Sequence, residues 1–238
     1  MGVTRRTPAA WLAVAAIFAA AVGALVLGPI ERGESFHHYA DQRTWFGIPH
    51  AGDVLSNLGF VVVALWFVRR IPAISLAVAT IGLGSAIYHW APSDLRLVID
   101  WAPIGVTLML VLAIVIADRI GARAGQLALG IGPLAATAAV GYWLVTGGTG
   151  PGDPAARGDM APYVALQLLG VALPLLLAVV APGRIAARYL AAAVVCFVAA
   201  RVLGANDAAL LDAIAISGHS LKHVMAAAAA AFALRACS

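Results

Sequence analysis

The feature that most limits what this chain can fold into is an apolar run that keeps returning. Stretches of Ala, Leu, Val and Ile near 9–28, 53–69, 72–90, 98–117, 124–145, 162–180, 185–203 and 213–234 each approach the roughly 20 residues that a helix needs to cross about 30 Å of hydrocarbon. The runs are continuous and Ala/Leu-rich, without the two-residue alternation of a membrane barrel strand. The fold class predicted is all-α, a polytopic membrane protein of eight spans. Composition agrees, because 63% of the 238 residues are hydrophobic and 11% are charged, far from the usage of a soluble domain. The connecting segments are too short to hold a separate soluble domain. The expected organisation is an N-terminal anchor at 1–29, which has some features of a signal sequence, and one membrane domain at 30–235.

Charge placement gives an orientation. With the N-terminus inside, one side collects Arg5, Arg6, Arg69, Arg70, Arg119, Arg123, Arg184, Arg188 and Arg235 with Asp118 as its only acid. The other side keeps six bases and ten acids. Cytoplasmic loops carry the Lys/Arg excess, so both ends are expected inside. The net charge of +4 then belongs to membrane orientation and not to nucleic-acid binding. Arginine makes up nearly all of the bases and alanine is abundant, which hints at a bacterial source and hence an inner membrane. Cys196 falls inside a predicted span and Cys237 at the tail, depths that do not suggest a disulfide.

Three outer loops differ in character. ERGESFHHYADQRTWFGIPHAG, ahead of the second span, is too polar to cross and too rich in acids, histidines and aromatics to be a simple connector. APSDLRL is short. TGGTGPGDPAARGDMAP reads as a flexible linker.

Inside lipid a polar side chain is costly, so each one is a functional hypothesis. GSAIYHW places Ser85 and His89 on one helix face, Asp100 sits one turn inside the next span, and GHSLKH places His219 and His223 four residues apart. The orientation argument uses arginines alone, yet it brings all five residues to the outer half. Three neutral imidazoles with one open position form a catalytic zinc arrangement. No acid stands between His219 and His223, so a general base must come from elsewhere. Asp100 is the candidate, with Ser85 to assist at a developing oxyanion. Lys222 is expected to turn away from the ligands and snorkel outward. Two other readings stay open: a receptor-like or transport protein with structural zinc, and a metal-free histidine relay for protons.

In these residues the chain resembles the alkaline ceramidase family, within the superfamily that also holds adiponectin-type receptors. The match is Ser-x-x-x-His in one helix, Asp in the next and His-x-x-x-His in the last: Ser85 and His89, Asp100, and His219 and His223. The resemblance covers roughly 30–235 and implies a seven-helix bundle, with the first helix as an addition. It further implies a zinc-dependent amidohydrolase that cleaves ceramide-like N-acyl lipids to a fatty acid and an amine by attack of zinc-bound water. His89, His219 and His223 would be the ligands, Asp100 would orient or deprotonate the water, and Ser85 would assist at the carbonyl. The implied partners are the bilayer and a membrane lipid substrate.

The chain departs from the family near its N-terminus. Family members carry a calcium site there around a Trp-Cys-Glu run, an acidic segment and a Ser-Asn pair. Here Ser56 and Asn57 are kept, but HHYADQRTWFG replaces the run. Glu34, Asp41 and Asp53 are the oxygens left for a second, hard cation such as Ca2+.

Overall fold

The computed structural model describes residues 8–26, 28–31, 37–147 and 158–238, with side chains from residue 15 onward. Among them the chain is helical, with isolated bridges (Glu31 to Asp159, Trp45 to Ile48) and no strand. The helices are α1 (Pro8–Val26), α2 (Ala51–Ser56), α3 (Leu58–Phe67), α4 (Pro72–Trp90), α5 (Asp94–Arg119), α6 (Ala122–Thr146), α7 (Ala161–Val180), α8 (Ala187–Ala205), α9 (Asp207–Ile214) and α10 (Gly218–Cys237). Five of them, α4 to α8, are long and apolar enough to cross a membrane. Shorter apolar helical stretches occupy Ala15–Val26 and Ala51–Phe67. Large apolar side chains such as Leu65, Trp66, Leu134 and Val195 lie exposed along the bundle, as lipid-facing surface requires.

Two predicted runs are interrupted. The run expected at 53–69 starts at Ala51 and breaks at Asn57. Ser56 Oγ and Asn57 Nδ2 both donate to the Asp53 carbonyl, at 3.1 and 2.7 Å. These short polar side chains compete with the helical backbone for that acceptor. The run expected at 213–234 also divides. α9 ends at Ile214, Ala215 turns left-handed at φ 59°, and α10 starts afresh at Gly218. Ser217 caps α10 by accepting from Ser220 N at 2.9 Å. The consequence is functional, because His219 stands in the first turn of its helix.

The bundle is held together by an apolar core shared by α3, α4, α5, α7, α8 and α10, including Phe60, Phe67, Val78, Val115, Leu177 and Leu234. A smaller cluster of Tyr88, Leu97 and Trp143 lies near the histidine end. Glycines set the closest approaches beside the polar residues. Gly84 of α4 abuts the Ile99 carbonyl of α5, one position before Ser85 and one before Asp100. Gly218 similarly abuts the Leu203 carbonyl of α8, one position before His219. Small residues allow this backbone contact where helices pack in lipid. α1 lies against α7 at the margin of the bundle. At the other end, Asp118 accepts from the backbone N–H of Arg184 and Ile185, tying α5 to the α7–α8 turn.

Candidate metal centre

Three imidazoles meet where α4 ends and α10 begins. His89, His219 and His223 are all buried, and one nitrogen from each lies within 4.8 Å of the others. Their ring centroids form a near-equilateral triangle of 4.7, 4.8 and 4.7 Å. His89 Nε2 and His219 Nε2 face each other at 3.2 Å. Tetrahedral coordination at about 2.0–2.1 Å per bond separates ligand nitrogens by roughly 3.3 Å, so this spacing suits a shared cation. The three histidines can therefore hold a metal ion. The Lys222 ammonium also lies 3.3 Å from His219 Nε2.

Neighbours fix two of the rings. His223 Nδ1 lies 2.9 Å from Ser56 Oγ. Asn57 Nδ2 lies 3.3 Å from the same nitrogen, so Ser56 and Asn57 together hold the Nδ1 edge of the ring away from the centre. Asp207 accepts from His219 N at 2.9 Å with one oxygen and from Ala40 N at 2.9 Å with the other. It anchors both the start of α10 and the preceding loop. Asp53 Oδ1 takes two more bonds from that start, Ser217 Oγ at 2.9 Å and Ser220 Oγ at 2.7 Å. His89 lacks such support, since its Nδ1 is buried without a protein partner among the described residues.

The loop at 37–50 covers the cluster. The Tyr39 ring packs on His89 and His219 at centroid distances of 4.6 and 4.3 Å. Its hydroxyl meets Tyr88 OH at 2.6 Å, and His37 bridges Tyr88 OH and Asp94 Oδ1 at 2.9 and 2.8 Å. Burial, and then the adjoining Tyr88, push the Tyr39 phenol far above its ordinary value, so it stays protonated.

On the opposite side, a cavity of about 310 Å³ opens between α4, α5, α7, α8 and α10, with Ser85, Asp100, Lys222 and His223 at its polar end. Ser85 and Asp100 line this cavity together. Ser85, His89, Asp100, His219 and His223 are thus brought together as the spacing predicts.

Lys222 departs from expectation. Instead of snorkelling outward it turns in, with Nζ 3.3 Å from His219 Nε2. Its stem crosses Gly204 of α8, and the absence of a side chain there opens that path. Of the residues expected to hold a second cation, two are described. Both Asp41 oxygens are taken at 2.7 Å by the Arg43 guanidinium, which holds that carboxyl below its usual range. Asp53 faces Ser217 and Ser220, and Glu34 lies outside the described residues. Among the described residues the three histidines are the one group gathered for a metal.

Sequence reasoning passed over Tyr39, Ser217 and Ser220. Tyr39 sits in the aromatic, acidic loop already marked as unusual, and Ser217-x-x-Ser220 before an apolar run is a capping signal. No family model, curated protein or solved structure matches the chain. Fold and site define a class all the same: an all-helical integral membrane protein with a buried three-histidine cluster competent to hold a metal ion.

Proposed function

We propose that this protein is a zinc-dependent intramembrane hydrolase that cleaves the amide bond of ceramide-like N-acyl lipids to a fatty acid and an amine. The observation that carries the reading is the juxtaposition of three convergent imidazoles with the Ser85–Asp100 pair at the polar end of an otherwise apolar cavity. It agrees with the resemblance to alkaline ceramidases. The protein would have eight spans in a bacterial inner membrane, both termini cytoplasmic and the site toward the periplasmic face.

His89, His219 and His223 would hold the zinc. When bound, zinc supplies Lewis acidity, polarising an amide carbonyl and lowering the pKa of water to about 7. Asp100 would take the proton of the attacking water on its carboxylate and pass it to the leaving amine. Ser85 would assist at the carbonyl oxygen. Tyr39 shields the centre on the loop side, and the apolar walls take the acyl chain and exclude water.

Metal analysis of the purified protein, followed by His219→Ala, tests the reading. The parent should carry zinc and release amine from a short-chain ceramide, and the variant should lose both. Asp100→Asn should abolish turnover while leaving zinc content near the parent's. A zinc-loaded parent with no amidase activity would favour a structural metal in a receptor-like or transport protein.

A further inference from the structure

Two cations at the polar end of the cavity have no role in the chemistry above. Arg201 of α8 and Lys222 of α10 line it together with Gln167 of α7. Arg201 has no hydrogen bond or ion pair among the described residues, and the polar contact of Lys222 is the His219 ring. Asp100, then Asp53 and Asp207, act on the Lys222 ammonium favourably, and Arg201 acts on it unfavourably. Asp100 is the carboxylate that lines the cavity with them, and Arg201, exposed on α8, is left without a carboxylate at hydrogen-bond distance among the described residues. Charges of one sign beside hydrocarbon are expensive unless an opposite charge meets them. The remaining lining is largely apolar, including Ile104, Leu108, Pro174 and Leu190.

We propose that the substrate's headgroup is anionic, a carboxylate or a phosphate bound by Arg201 with Lys222 and Gln167, while its acyl chain fills the apolar part of the cavity. This rests on the amide-hydrolase reading and narrows its substrate to N-acyl amino acids or phosphorylated N-acyl amines over uncharged N-acyl amines. A planar guanidinium suits either anion, because its paired N–H groups match two oxygens.

The test uses the full-length, zinc-loaded protein in detergent micelles with three palmitoyl amides: N-palmitoylglycine, N-palmitoylethanolamine and the phosphate ester of the latter. Amine release gives kcat/KM, and calorimetry gives binding. At least one anionic amide should exceed the neutral one by about tenfold or more in both readouts, and the larger gain tells carboxylate from phosphate. Arg201→Gln should bring the anionic-to-neutral ratio close to one, and Arg201→Lys should restore part of it. Neutral amide used as well as both anions, or a preference that survives Arg201→Gln, overturns the proposal. If no amide releases amine but calorimetry still records an Arg201-dependent preference for an anion, the hydrolase reading fails and the headgroup assignment stands. Absence of both release and anion-selective binding defeats the headgroup assignment as well.

Discussion

At the residue scale, the site depends on contacts one shell away from the histidines. Ser56 holds the His223 ring through a 2.9 Å contact to Nδ1, and partners of this kind typically contribute 10–100-fold in metal affinity. Ser56→Ala should weaken zinc binding by about that factor, measured by competition with a chelator, without unfolding the bundle. Zinc affinity equal to the parent's would show that Ser56 merely fills space. Asp41 offers a separate test, in pH. Its carboxyl is held below the ordinary 3.8 by Arg43, so the ion pair's contribution is fully present above that value and is lost as pH falls through the lower folded one. Asp41→Asn should therefore lower the melting temperature at pH 7, and the gap from the parent should close below about pH 4. A gap that persists at pH 3 would place the effect in packing. The five central residues were readable in the sequence because polar groups are few inside apolar runs and share a depth. Tyr39, Lys222 and Arg201 were not, because where a loop ring or a long cation points is decided by tertiary neighbours such as Gly204.

At the element scale, the histidine helices are placed by glycines and caps. A Cβ at Gly84 would strike the Ile99 carbonyl, which is backbone and cannot swing aside. Gly84→Ala should push α4 from α5, separate Ser85 from Asp100, and cost about 1–3 kcal/mol of stability, as overpacking does. Gly130 of α6 meets nothing within 4 Å, so Gly130→Ala serves as the matched control. Thermal unfolding in detergent with parallel amidase assays reads both variants, and equal effects would remove the packing argument. Element type was legible from the length of the apolar runs, but the breaks at Asn57 and Ala215 were not. Hydropathy averages over a single turn, whereas those breaks are made by local bonds such as Asn57 Nδ2 to the Asp53 carbonyl.

At the scale of the whole molecule, the histidine end and the arginine-rich end are opposite ends of the bundle. His219 opens α10 and Cys237 closes it, while the covering loop lies with the histidines. In the proposed orientation Cys237 would be cytoplasmic and the loop periplasmic. A membrane-impermeant maleimide tests this in spheroplasts. Cys237 should label only after permeabilisation. A cysteine introduced at the exposed Gln42, in a background of Cys196→Ala and Cys237→Ser, should label in intact spheroplasts. The reverse pattern would invert the orientation and put the metal centre on the cytoplasmic side. Labelling of both positions from one side would mean an even number of crossings between residues 42 and 237, and the seven expected from the second to the last run would be wrong. Under the proposed function, orientation would also decide which leaflet supplies the substrate, since Tyr39 covers the loop side and lipid would reach Asp100 through the wall of the bundle. A periplasmic site draws on the outer leaflet of its membrane.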